Sequence, residues 1–567
     1  MFGSLRGYRR TWLAGDVVAG LTVWAVLVPE ALAYATIAGV SPVVGLYAAP
    51  AALIFYAAFG SSGHLVVGPM SATAPLSAAT VGEFATQGSG TFVALTVALA
   101  ITTGIAALAA GLLRLGFLAN LISEPVLKGF IVGLALTIIV GQLPKLFGVE
   151  KGSGDFFAKL WDLINKLGDT SAITLLVGAL SLAVVVGLRM LAPVVPASLV
   201  AVALGVVLVK AFDLDHHDVA IVGPIESGLP SFGLPDVSSA DYGDLIGPSL
   251  GVVLVAFAEG LGAAKTYAAK EHYEVDANRE LLGLGAANIG SGLSAGMVVN
   301  GSLSKTAVNG AAGAHSQISG LFCAGLTVIT LLFLTSLFED LPEATLAAVV
   351  IAAVVELVDV AALVALYRVH TRALGRAYGA AARPDFIGAV AAMLGVLVFD
   401  TLPGLFIGIA ISLLLLLYRV SRPYVAVLGR VPGTSDQFVD VARHPEDEPP
   451  PGVAVLRVES GLFFANADHV RDAIRAHAVD GVRAIVIDAE TVPSIDVTAA
   501  RMLLELRAEL ERGGIELVLA RGTGQVRDVL QTADAGEPAI RTYRSVREAV
   551  DALGHPPGVM RHHPAPT

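Results

Sequence analysis

The chain has 567 residues, of which 55% are hydrophobic and only 15% charged, with a mean hydropathy of +0.73; that balance is too apolar for a soluble protein of this size. The net charge of −12 offers no footprint for nucleic acid, and the single cysteine, Cys323, excludes an internal disulfide or a cysteine-rich metal site. What the composition does supply is stretches long enough to cross a hydrocarbon core, which takes about 20 apolar residues.

Apolar segments fall near 16–38, 42–59, 70–85, 91–112, 126–147, 171–190, 194–212, 246–265, 280–298, 303–313, 316–337, 343–366, 385–401 and 403–421. The first is too long, and too unlike a cleavage site, to be a removable signal peptide. The third and tenth are short, as expected of half-helices entered through extended chain. The fourteen divide into two sets of seven. An odd number per set inverts one half relative to the other, so the pattern predicts an inverted repeat.

The two short segments open alike. One reads Val66-Val67-Gly68-Pro69-Met70-Ser71-Ala72-Thr73-Ala74, the other Val298-Val299-Asn300-Gly301-Ser302-Leu303-Ser304-Lys305-Thr306-Ala307. Each has a Val-Val pair, a break at glycine, then small and hydroxyl residues. Glu30 lies 41 residues before Ser71, and Glu259 lies 45 before Ser304. Interrupted hydrophobic segments at matching places in two halves point to a binding site at the repeat interface.

Charge sets the orientation. With the N-terminus inside, the inner connections carry fifteen basic residues and the outer ones five, as the positive-inside rule requires. Both termini are then cytoplasmic and the chain is a multi-pass protein of the cell membrane. The acidic outer loop 213–244 reads as solvated surface.

Transport-domain sequence is assigned to 1–425. Residues 426–449, with Pro432-Gly433 and the Glu446-Asp447-Glu448-Pro449 run, read as a linker. From 450 to 554 the chain is charged and alternating. Val453–Val458, Ala484–Asp488 and Glu516–Ala520 read as strands, with amphipathic helices over 467–477 and 497–512 between them, which implies a soluble α/β domain. Residues 555–567, rich in Pro and His, read as a disordered tail. Thr498 sits at a helix start that Asp496 or Ser494 can cap.

Asp496-Val497-Thr498 at that helix start resembles the characteristic loop of STAS domains (sulfate transporter and anti-sigma factor antagonist). In the antagonists the last position is a phosphorylated serine, so the resemblance makes Thr498 a regulatory candidate, although Ala499 replaces the usual glycine. The membrane part is similar to the SulP family, solute-carrier family 26. The likeness is carried by Asp16–Val23 with Val28-Pro29-Glu30-Ala31-Leu32-Ala33-Tyr34-Ala35, by Asn278-Arg279-Glu280-Leu281 with Gly283, Asn288 and Gly292, and by Ser302–Asn309 with Ala312-Gly313-Ala314. Many members carry Arg where this chain has Lys305, and an ammonium is more compact and more strongly hydrated than a guanidinium.

The resemblance implies fourteen spans as a 7+7 inverted repeat forming core and gate domains, a cytoplasmic STAS domain, a homodimer, and an anion site between the starts of the third and tenth segments. Helix-start amides favour a negative ligand there. Ser71 and Ser304 supply hydroxyls, Lys305 a full charge, Ala72 a small wall; Tyr34 lines the site or packs beside it. A carboxylate within the bilayer costs roughly 2.5 kcal/mol or more, so Glu30 is read as a proton carrier. Glu259 is read first as the partner of Lys305, and otherwise as a sodium or proton site sharing oxygens with Ser302 or Thr306. His64 and His315 flank the two short segments at the inner edge.

Gly292-Leu-Ser294-Ala-Gly296 matches a hydrolase pattern but ends a membrane segment rather than turning a strand into a helix. No Walker motif or HExxH occurs, so no enzyme, cofactor or resident metal is expected. The reading is a proton-coupled sulfate transporter with elevator-type alternating access. The alternatives are sodium-coupled bicarbonate transport, proton-coupled C4-dicarboxylate transport, and an uncoupled anion channel.

Overall fold

The computed structural model describes residues 8–117, 123–152, 154–192, 195–355, 358–368, 384–399, 401–434, 436–533 and 540–553. The expected tail at 555–567 lies outside them, as do Arg6, Arg372, Arg376 and Arg383 from the charge count. The chain divides into two units, 1–369 with 385–412, and 370–384 with 413–567.

The first unit is helical. In chain order its helices are α1 (Leu13–Ile37), α2 (Pro42–Phe59), α3 (Thr73–Gly82), α4 (Gly90–Leu112), α5 (Glu124–Phe147), α6 (Phe156–Lys166), α7 (Ala172–Leu191) and α8 (Ala197–Phe212). Then come α9 (Ser239–Lys270), α10 (Ala277–Leu293), α11 (Leu303–Ala311), α12 (Ile318–Phe333), α13 (Glu343–Val355), α14 (Val360–Arg368), α15 (Pro384–Phe399) and α16 (Thr401–Ser421), the last of which belongs to this unit as far as Ser412. Among the described residues eight runs are long and apolar enough to span a membrane, with α13 and α14 in one of them, and α8, α12 and α15 are shorter apolar helices. The half-helices α3 and α11, with α10, complete the fourteen expected spans. Helix α6 was not anticipated: it is short and charged, started by Asp155, whose side chain accepts from the Ala158 amide at 2.8 Å.

Two bundles emerge. Helices α1 to α4 pack with α9 to α12, and α5, α7 and α8 pack with α13. Small residues allow the tightest contacts. Gly104 of α4 meets Gly285 and Ile289 of α10, and Gly129 of α5 lies on the backbone of Ala389 in α15. Without a hydrophobic drive between helices in lipid, such close backbone approach is what holds them together.

The second unit is an α/β domain. Its strands are β3 (Val425–Arg430), β4 (Phe438–Asp440), β5 (Val453–Val458), β6 (Ala484–Asp488), β7 (Glu516–Ala520) and β8 (Thr542–Tyr543). The sheet order is β4-β3-β5-β6-β7-β8. The run from β5 to β8 is parallel, while β3 is antiparallel to both its neighbours. Every residue of β6 is buried, because apolar clusters cover both faces of the sheet. The stretch 426–449, expected as a linker, instead supplies most of β3 and all of β4. Val425, Val427 and the buried Ala426 and Leu428 are strand-forming residues that the flanking prolines obscured.

Candidate functional site

The two interrupted segments meet. Residues Val66–Gly68 (β1) and Asn300–Ser302 (β2) pair antiparallel, with Val66 opposite Ser302, Val67 opposite Gly301 and Gly68 opposite Asn300. All six residues are buried. Extended chain at membrane depth must satisfy its amides inside the protein, and each short strand does so against the other before running into α3 or α11. A Cβ at Gly301 would stand 2.9 Å from the Gly260 Cα, so α9 passes this crossing at a distance that only glycine permits.

Polar side chains hold the crossing in place. Asn288 of α10 accepts from the Val299 amide at 3.0 Å and donates to the Val299 and Leu284 carbonyls, both at 3.0 Å. Gln317 donates to the carbonyls of Ser62 at 3.0 Å and Leu65 at 2.9 Å. The Thr306 hydroxyl accepts from the Val66 amide at 3.1 Å. These bonds give the backbone around the break buried polar partners.

The charges converge beside it. Lys305 is 1% exposed. Its Nζ lies 2.5 Å from Glu30 Oε2, 3.4 Å from the Pro69 carbonyl and 3.6 Å from Met70 Sδ. It also stands 5.1 Å from the centre of the Tyr34 ring, within reach of the ring's negative face. Glu30 and Tyr34 are buried, and Pro29 interrupts the α1 hydrogen-bond ladder beside the carboxylate. The expected Glu259–Lys305 pair is not formed. Glu259 accepts from Asn300 Nδ2 at 2.8 Å, and Asn300 Oδ1 in turn accepts from the Gly301 amide. The asparagine at the break keeps Glu259 within its own half, which leaves Lys305 to the carboxylate that α1 brings across.

The two helix starts differ. At α11, Ser302 accepts from the Lys305 amide at 3.1 Å, and its Oγ lies 3.2 Å from Ser304 Oγ. Ser304 itself is exposed. At α3, Ala72 occupies the cap position and offers no side-chain acceptor; the Ala74 amide donates to the Met70 carbonyl at 3.0 Å and Pro75 has no N–H, which leaves the Thr73 amide as the first-turn donor without a cap. Ser71 and Ala72 are buried there, directly after the Pro69 and Met70 atoms that touch Lys305.

Sequence reasoning had named Glu30, Tyr34, Ser71, Ala72, Ser304, Lys305, Thr306 and Glu259. The structure gathers these at the crossing, with Thr306 turned to the β1 backbone. It missed Asn300, the Pro69 carbonyl and Met70 Sδ as contacts. An asparagine before glycine in an apolar run was the available signal for the first. The two histidines serve packing: His64 has Nε2 3.0 Å from the Ala314 carbonyl and stacks on Tyr273, and His315 stacks on Trp12. In the second unit Asp496 caps the helix Val497–Arg512 by accepting from the Ala499 amide at 2.8 Å, and Thr498 is exposed in its first turn.

Residues 13–374 match the model of the sulfate permease family, and residues 444–549 match that of the STAS domain. A probable sulfate transporter of Mycobacterium tuberculosis is 38% identical over 533 residues, covering 94% of this chain and 93% of that one. The chloroplastic sulfate transporter 4.1 of Arabidopsis thaliana is 32% identical, covering 92% of this chain and 77% of its own. Among solved structures, the murine solute carrier 26 member A9 anion transporter in the inward-facing state superposes with a TM-score of 0.86 at 22% identity, covering 97% of this chain and 93% of that one. The transmembrane domain of the cyanobacterial bicarbonate transporter BicA gives 0.60 at 22% identity, covering 71% and 98%.

Proposed function

The chain belongs to the sulfate permease family of membrane anion transporters, and from that premise we propose that it takes up sulfate together with protons. The observation that carries this reading is the buried Lys305–Glu30 pair at the half-helix crossing. Lys305 is a full positive charge beside two helix starts, and a carboxylate already occupies it. An entering oxyanion competes with Glu30 for the same ammonium. Two negative groups cannot share it in a dry site at low cost.

A proton taken up by Glu30 removes that competition. Lys305, the α3 helix start and the Ser71 and Ser304 hydroxyls then present a positive site to the anion. Release of the anion returns Lys305 to Glu30 and favours loss of the proton. The Lys305–Glu30 pair is neutral, and the loaded site, with Glu30 protonated and sulfate on Lys305, carries one net negative charge; these are the two states assigned to cross the membrane region. The movement is assigned to the bundle of α1–α4 and α9–α12 sliding against the bundle of α5, α7, α8 and α13. The basic inner connections support cytoplasmic termini, and membership of the family supports a homodimer. Glu259, held by Asn300, is the place for a sodium ion should coupling use one. Thr498 is the candidate regulatory position, since a phosphate at an exposed helix start is electrostatically favoured.

The test is uptake of labelled sulfate into liposomes containing the purified full-length chain, under an inward proton gradient and without sodium. Concentrative, saturable uptake with counterflow is expected. Uptake that appears only with sodium, or only for bicarbonate or a C4-dicarboxylate, replaces this reading. Unsaturable flux without counterflow makes the protein a channel.

A further inference from the structure

Away from the crossing, a cavity of about 200 Å³ opens between α3, α5 and the connection that follows α5. Pro75 and Ala79 of α3 form one wall, Thr137 and Gln142 of α5 another, and Lys151 and Lys159 close the mouth. No carboxylate is among its described lining residues. Its neighbours show how unusual that is. Lys145 pairs with Glu343 at 3.1 Å and Lys166 with Asp162 at 2.9 Å, whereas among the described residues neither Lys151 nor Lys159 has an acidic partner.

We propose that this cavity is a second anion site, a capture site for the transported oxyanion on the outer side, held by the ammonium groups of Lys151 and Lys159. The proposal rests on the orientation and substrate given above, which place the 148–171 connection outside.

Three observations support it. First, the Lys151 side chain is exposed at the surface, and its ammonium is held below the ordinary lysine range, by desolvation from the surrounding protein first and then by repulsion from Lys159 and Lys145. Like charges are thus crowded at one opening, and a doubly charged anion relieves that repulsion. Second, Gln142 is buried and its side-chain oxygen has no hydrogen-bond partner. The same residue lines the cavity, where its side-chain amide N–H groups can donate to an anion.

Third, α6 is built to hold Lys159 in place. Phe157, Trp161 and Ile164 are 51%, 67% and 49% exposed and share one face at i, i+4 and i+7. Such a face seats a helix in the membrane interface. Lys159, two residues from both Phe157 and Trp161, falls on the opposite side. The cavity walls come from both bundles, α3 from one and α5 from the other, so an anion held here waits where their separation admits it to Lys305.

The capture site can be tested apart from transport. The purified full-length chain is acetylated with a small amine-reactive ester, with and without sulfate at matched ionic strength, and each lysine is followed by mass spectrometry. Sulfate is expected to slow modification of Lys151 and Lys159 severalfold while Lys166 is unaffected, and to do so equally in the Lys305→Ala variant. Equal rates with and without sulfate overturn the proposal whether or not the protein moves sulfate. In liposomes, Lys151→Gln with Lys159→Gln is expected to raise KM for external sulfate severalfold and leave the maximal rate unchanged; an unchanged KM rejects capture. Failure of the wild-type chain to transport sulfate, with protection intact, rejects the assigned function and keeps the site.

Discussion

Two carboxylates occupy matching places in the two halves of the membrane unit, and they do different work. Glu30 of α1 crosses to the other half and pairs with Lys305; Glu259 of α9 stays with Asn300 in its own half. The helix starts diverge in the same way. The α11 start carries a serine cap and a lysine, whereas the α3 start has neither. Inverted repeats therefore fix a backbone frame, two short strands and two half-helices, without fixing the chemistry placed on it. The Lys305–Glu30 pairing ties the two halves together electrostatically.

The largest expected effect comes from removing the shared charge. Lys305→Ala leaves Glu30 buried without a partner, a loss of roughly 3–5 kcal/mol when one member of a buried pair is deleted. Sulfate binding should fall by about two orders of magnitude or more, since a tenfold loss corresponds to about 1.4 kcal/mol; near-normal affinity in equilibrium binding would remove Lys305 from the site. Next is Glu30→Gln, which should abolish accumulation driven by a pH gradient and spare counterflow. Unchanged pH dependence would show that the two carboxylates are not divided as proposed.

Third is the frame itself. Gly301→Ala forces a methyl group against the Gly260 Cα. Overpacking of this kind costs about 1–3 kcal/mol, and a lowered thermal midpoint with retained sulfate selectivity is the expected result. A variant as stable as the wild type would mean that the α9 contact is looser than it looks. The smallest effect should come from Glu259→Gln, because a glutamine can still accept from Asn300. Proton-driven uptake is expected to stay within a few-fold of wild type, in line with the roughly 0.5–1.5 kcal/mol net worth of one hydrogen bond. A collapse of uptake there would assign coupling to Glu259 instead of Glu30.

Much of this was legible in the chain. Long apolar runs fixed the fourteen spans, because a bilayer admits few other solutions. The doubled Val-Val-and-glycine breaks marked the crossing, and the alternation after 450 marked the sheet domain. Less legible was 426–449, where prolines and acidic residues masked two strands, β3, which needs β5 to pair with, and β4, which pairs with β3 in turn. Helix α6 escaped notice because an interfacial helix is neither apolar enough to span nor long enough to stand out.

By itself, then, the sequence determined the spans, the repeat, the positions of the breaks and the identity of the ionisable residues, since each follows from local hydropathy and turn chemistry. Which carboxylate meets Lys305 was decided only in three dimensions. Glu30 and Lys305 are 275 residues apart, and no local pattern ranks Glu30 above Glu259. The choice comes from the approach of α1 to the α11 start, and from the one side-chain amide, at Asn300, that holds the other acid back.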